Sequence, residues 1–274
     1  MKIFDCTIYN GEDHLLELRL NELQNVDFFV IVESNISFSG IKKEYRFNVD
    51  KFPSFRKKIR YVQIGNEKAN YNNQSYYTFF KHEKWQREFA MRDAILTALY
   101  DCNDDDLIVL SDIDELPDLN KITTEHDIFI FDQTCCQFKF NLKNPGLTPY
   151  FGSKAIKFKN LGVPSEFRIF DQKHLSIKKY DHLTKKIIKG GFHFSYCLTV
   201  SKILEKVNFY SHCERAKDIT VERISQCIEQ QKDIWDGNFN YANNISKLEK
   251  LPIELLPKYI QNNKQKFKDF LLEI

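Results

Sequence analysis

The chain predicts an α/β fold, and two observations carry that prediction. Its first 34 residues read as strand, helix, strand, and a β-α-β opening favours a parallel sheet. Further on, Leu107-Ile108-Val109-Leu110 is an apolar run typical of a strand buried on both faces, and it meets Asp112, Asp114 and Glu115 before Pro117 stops it. Unpaired carboxylates are costly to desolvate, so acids at a buried strand's end are not there for packing. In open α/β sheets the carboxyl ends of the strands are where ligands sit.

Taken in order, Ile3 to Ile8 is the first strand, and Asn10 is placed to cap a helix over 11–25 through Leu15, Leu16, Leu18, Leu20 and Leu23. Asp27 to Ser34 is a second buried strand ending on Glu33 and Ser34, and a polar loop runs from there to Gly40. Ile59 to Ile64 is a third strand. Residues 66–78, rich in Asn, Tyr and Gln, read as a loop before a long helix over 79–100. That helix carries Arg87 and Arg92 toward the acid-tipped strand, although surface arginines are more often solvated or paired. Beyond the acids, 127–133, 136–141 and 153–158 read as strands without long helices between them, so the second half is more antiparallel. Asn144-Pro145-Gly146 marks a turn. Gly190 and Gly191 let the backbone approach something closely just ahead of His193. Helices over 199–210 and 219–234, the second capped by Thr220, precede a Lys/Phe/Leu tail over 252–273 read as a weak amphipathic helix. With no repeat or linker, the prediction is one domain over 1–274, with a core to about 197 and a helical C-terminal part over about 199–274.

With 40 basic and 38 acidic residues the formal charge is +2, which excludes the concentrated basic charge of a nucleic-acid binder. The seven cysteines are odd in number, irregularly spaced and free of Cys-x-x-Cys pairs, so they predict reduced thiols rather than disulfides or structural zinc. The opening Met1-Lys2-Ile3-Phe4-Asp5 enters a strand at once, and no apolar run is long enough to span a bilayer. These features together predict a soluble, cytoplasmic protein.

Asp112 and Asp114 are two apart on a strand and share a face. Such a pair suits a hard divalent cation that also holds phosphate oxygens. An acidic turn capping the following segment explains the same residues without any ligand. His193 lies between aromatics, where a core histidine with a satisfied hydrogen bond is the plainer explanation.

Several blocks, in this order, resemble glycosyltransferase family 17. They are Phe4-Asp5-Cys6, Leu15 to Leu23, Asp27 to Ser34, Gln86-Arg87-Glu88-Phe89 with Arg92-Asp93-Ala94, Ser111 to Pro117, and Gly191 to Tyr196. The similarity runs from about residue 2 to about 214. It departs in having Phe192 where Gly-Trp-His is expected, in lacking the Golgi anchor and stem of membrane-bound members, and in a segment from about 215 onward that aligns with nothing. The resemblance implies a GT-A-like, nucleotide-sugar-binding mixed sheet flanked by helices, with a helical C-terminal extension. It implies a metal-dependent inverting transfer of N-acetylglucosamine or a related hexose from a UDP-sugar to a glycan hydroxyl. Under it Asp112, Asp114 and His193 hold Mn²⁺ or Mg²⁺, Glu33 and Ser34 face the nucleoside, and Arg87 and Arg92 fix phosphate or the acids. Glu115, beside the metal pair, is the first candidate for the base, with Glu166, Asp181 and Glu214 as alternatives. The site's position at a sheet edge predicts that Asp114→Ala leaves the fold intact.

Rival readings use the same acids. A haloacid-dehalogenase phosphatase places its acid pair on the first strand, whereas here it follows the fourth. A sugar-phosphate nucleotidyltransferase has a Gly-rich basic loop after the first strand, where this chain has Thr7-Ile8-Tyr9-Asn10-Gly11. A carbohydrate-binding protein with a decayed site is the non-enzymatic alternative.

Overall fold

The computed structural model describes residues 1–65, 82–171, 177–210, 213–235 and 247–272. The expected loop at 66–78 and the first turn of the helix expected from 79 lie outside them. A ten-stranded mixed sheet runs through the molecule with helices on both faces. Its parallel half is β3 (Ile59–Ile64), β2 (Phe28–Ser34), β1 (Ile3–Ile8) and β4 (Leu107–Asp112), side by side in that order. Alternation along these strands builds two cores. Phe29, Ile31 and Val109 face one, with α1 (Asp13–Glu22), while Val30, Val32, Ile108 and Leu110 face the other, with α2 (Glu83–Asp93). Burial on both faces is why β2 and β4 are so largely apolar, whereas the edge strand β3, with no buried residue, accommodates Arg60 and Gln63.

The α1 helix starts two residues later than expected, because Gly11 has φ +97° and a Cβ there would collide with the Arg46 side chain. Glu12 takes over the cap position and accepts the Asn10 amide at 2.8 Å. The long helix over 79–100 is shorter in the structure, with a 3₁₀ stretch at 94–98 after α2.

The antiparallel half adds β8 (Lys154–Lys157), β6 (Ile128–Gln137), β7 (Leu142–Lys143) and β10 (Glu249–Lys250) beyond β4. The two strands expected at 127–133 and 136–141 are one strand, β6, with an irregularity between Asp132 and Thr134. Off this path, β9 (Lys185–Ser195) runs parallel to β6 and pairs antiparallel with the short β5 (Glu115–Pro117). Two short helices that periodicity does not reveal, α3 (Phe158–Leu161) and α4 (Pro164–Ile169), follow β8. Helix α5 (Val200–Phe209) matches expectation, α6 (Val221–Gln230) ends four residues earlier than expected at a left-handed Gln231, and Thr220 caps α6 by accepting the Arg223 amide at 3.2 Å.

The tail is not the continuous helix expected over 252–273. After β10 it consists of two 3₁₀ turns and the five-residue α7 (Lys258–Asn262), broken up by Pro252 and Pro257. Nor is it an appendage, since Leu256, Ile260, Phe267 and Leu271 belong to the same core as α1.

Candidate active site

In the parallel half, chain connectivity reverses between β1 and β4, where ligands of doubly wound sheets gather. Ile8 and Asp112 end level there. The acid turn beyond Asp112 is anchored from below. Arg19 of α1, fully buried, grips both oxygens of Asp5 on β1 at 2.5 Å and donates to the backbone carbonyls of Asp112 and Glu115. One buried ion pair thus ties the first helix and strand to the turn that presents the acids.

His193 arrives by strand pairing. Glu115 lies opposite His193, and Pro117 opposite Gly191, in the β5–β9 ladder. Gly191 has φ +97°, and a Cβ there would overlap the Leu116 carbonyl. What the paired glycines approach closely is therefore the acid-bearing strand. His193 stacks on Tyr150 at 4.0 Å between ring centroids, with Nε2 3.7 Å from Asp114 Oδ2 and Nδ1 3.7 Å from Cys135 Sγ. Burial works to lower its pKa, but the Cys135 sulfur and Asp114 carboxylate outweigh this and raise it to about 10.

Each acid has its own basic partners. Asp112 accepts Arg92 Nη2 on Oδ1 at 2.8 Å and Arg168 Nη2 on Oδ2 at 3.1 Å. Burial acts to raise its pKa, yet the two guanidiniums hold it at about 2. Asp114, only 5% exposed, accepts Lys206 Nζ of α5 at 2.6 Å, and Lys206 and His193 hold its carboxyl far below the usual range despite burial. Glu115 is wholly buried with both oxygens filled. Oε1 accepts Arg168 Nη2 at 2.5 Å, and Oε2 accepts the Asp112 amide at 3.0 Å and Ser153 Oγ at 3.3 Å. Gly152 makes room for this: a Cβ there would overlap Glu115 Oε1 and Tyr150 Cε1.

The structure thus brings together Asp112, Asp114, Glu115, Arg92 and His193, and it adds Arg168, Lys206 and Tyr150, which the sequence did not disclose. It places the other expected residues elsewhere. Glu33 ends β2 fully buried, its oxygens accepting the amides of Arg46 and Phe47 and the Tyr61 hydroxyl. Ser34 bonds the Gly65 carbonyl at 3.0 Å and accepts the Ile36 amide. Arg87 turns to Glu83 at 2.6 Å and to the Phe38 carbonyl at 3.2 Å. Glu166 lies 3.7 Å from Lys179, Asp181 lies 3.8 Å from Lys185, and the Glu214 side chain lies outside the described part.

Two carboxylates and an imidazole are a fitting donor set for Mn²⁺. As arranged, they are not a coordination site. Among the described residues no three His, Cys, Asp or Glu side chains converge on a metal position. Lys206 occupies the Asp114 oxygen that faces His193, and two guanidiniums occupy Asp112.

Comparison with known proteins gives the family. Among curated proteins none matches the chain. Among solved structures, similarity is found to S. aureus TarS, residues 1–349, at 11% identity and TM-score 0.35, covering 82% of this chain and 69% of that one. Similarity is also found to an active-site mutant of LgtC, at 14% identity and TM-score 0.29, covering 66% and 64%. The model of glycosyltransferase family 17 matches residues 1–273, taking in the C-terminal part that no sequence block reached. From its first residue nearly to its last, this chain belongs to glycosyltransferase family 17 and is a glycosyltransferase.

Proposed function

We propose that the protein transfers a hexose, N-acetylglucosamine or a close relative, from a UDP-sugar to a hydroxyl of a glycan acceptor, with inversion at the anomeric carbon. The observation that supports this reading is the charged cluster at the β1–β4 edge, where Asp112, Asp114 and Glu115 meet Arg92, Arg168, Lys206 and His193. Breaking a sugar–phosphate bond builds negative charge on the departing diphosphate, and fixed cations stabilise that charge as it develops. The acids keep the cations in place without reorganisation during the reaction. Glu115, with both oxygens filled, acts as a positioning residue for Arg168 and for the turn. The base of an inverting displacement stands on the face opposite the leaving group. Mn²⁺ or Mg²⁺ on Asp112, Asp114 and His193 is the alternative counter-charge, and it requires Lys206 to leave Asp114.

The test is a panel of nucleotide sugars offered with and without glycan acceptors, with free nucleotide followed by chromatography. The expected result is slow release of UDP from one UDP-sugar, accelerated by an acceptor. Pyrophosphate release from UTP and a sugar 1-phosphate would make the protein a nucleotidyltransferase. Glycan binding with no donor turnover would make it a lectin.

A further inference from the structure

The acids at the end of β4 are met by cations from three separate elements: Arg92 on α2, Arg168 on α4 and Lys206 on α5. Two of these have donor capacity left over. Arg168 is about nine-tenths buried and bonds Asp112 and Glu115 through Nη2 alone. Its Nη1 is buried with no hydrogen-bond partner, although a guanidinium nitrogen of this kind carries two N–H donors. Buried charged donors are seldom left unmatched, and an orphan beside a ligand edge marks the place of a missing acceptor. Lys206 holds Asp114 at 2.6 Å with one of three N–H donors, and its side chain is 25% exposed. A third observation fits an acceptor-only ligand. Each oxygen of Glu115 and Asp112 already accepts a hydrogen bond from another group, and none of them bonds Arg168 Nη1.

We infer that Arg168 and Lys206 bind the diphosphate of the donor directly, Arg168 through Nη1 and Lys206 through its remaining N–H donors, without a divalent cation. Asp112 and Asp114 then serve to hold these two cations at the strand end. In the transfer, the bond from the anomeric carbon to the diphosphate oxygen breaks and its electron pair stays on that oxygen. The acceptor oxygen bonds the same carbon and gives up its proton, so UDP-sugar and alcohol become glycoside, UDP and a proton. Arg168 and Lys206 meet the charge that appears on the UDP oxygen. This assignment rests on the glycosyltransferase reading of the same site.

Calorimetry on the full chain in buffer containing EDTA tests it, with UDP and uridine as probes. UDP is expected to bind more tightly than uridine with no metal present. Lys206→Met and Arg168→Lys are each expected to weaken UDP binding by about tenfold to a hundredfold, the range of a lost charge-assisted hydrogen bond, while leaving uridine binding unchanged. Arg168→Lys keeps a charge beside Asp112 and Glu115, so the fold survives while the fork is lost. Lys206→Arg is expected to retain UDP binding. UDP binding that appears only when Mn²⁺ is added would overturn the inference and leave the glycosyltransferase reading standing. Wild-type affinity in both Lys206→Met and Arg168→Lys would overturn it as well. If no nucleoside diphosphate binds with or without Mn²⁺, the functional reading itself falls.

Discussion

At the scale of the residue, the acid turn is a set of matched charges, and that changes what substitution does. Position at a sheet edge predicted that Asp114→Ala would leave the fold intact. The structure instead pairs Asp114 with Lys206 and His193 in a nearly buried setting, so removing the carboxylate strands both. Asp114→Ala is expected to lose about 2–3 kcal/mol in urea denaturation, below the full penalty of a buried pair because Lys206 is partly exposed. Acid should act on the same network. Asp112 has a folded pKa of about 2, below its unfolded value near 4, so the stability it contributes is complete above about pH 4 and lost as pH falls toward 2. The loss amounts to about 2 kcal/mol, and a melting series in metal-free buffer should show a decline in that window that Asp112→Asn flattens. Gly152 offers a probe that leaves all charges in place. Gly152→Ala is expected to displace Glu115 and Tyr150 and to cut UDP-sugar turnover about tenfold or more, with only about 1–3 kcal/mol lost in denaturation. Turnover at the wild-type level would mean that Glu115 does not need its present position. Asp112, Asp114 and His193 drew attention in the sequence through acids after an apolar run and through paired glycines, although β4 ends at Asp112 and Asp114 lies in the following turn, not two along the same strand face. Arg168 and Lys206 did not, because a basic residue in a short helix or on an amphipathic one looks solvated until closure brings it to an acid.

At the scale of the element, regular runs were readable and interrupted ones were not. Strands β1, β2 and β4 carry long buried runs, so position and type follow from the residues themselves, and the edge strand β3 is legible from its alternation of Ile59, Tyr61 and Gln63 with Arg60, Val62 and Ile64. The strand β6 was read as two, with a break at Thr134 and Cys135, directly after the polar Gln133. Gln133 is nevertheless fully buried, donating to the Phe192 carbonyl at 3.0 Å and accepting the Ser153 amide at 3.2 Å. A buried polar side chain whose partners lie far along the chain looks like a strand end in sequence. The tail misled in the opposite way, since its Lys and Phe spacing imitates a helix while two prolines and long-range contacts hold it in turns. Phe267 is 1% exposed and meets Phe140 edge-on at 5.6 Å between centroids. Phe267→Ala is expected to cost about 3–5 kcal/mol, as for any large core residue, and a loss under 1 kcal/mol would show the tail to be peripheral.

At the scale of the molecule, the ten strands among the described residues join one sheet, and both halves are needed to complete the charged edge. The six cysteines whose side chains are described are free, four of them buried. Thiol titration under denaturing, non-reducing conditions is expected to count all seven in the sequence. The arrangement of the cations has a further consequence, for how the chain is made. The acids are at 112–115, whereas two of their three main counter-charges are at 168 and 206, 53 and 92 residues away in the pairs with Glu115 and Asp114. A chain emerging from the ribosome carries the negative cluster well before Lys206 exists to neutralise it. Like charges repel, so partly made forms of this edge are held open, and closure waits for α5. Hydrogen exchange during refolding should show the amides of the acid turn becoming protected no earlier than those of α5. Earlier protection would mean that the turn closes on its own charges.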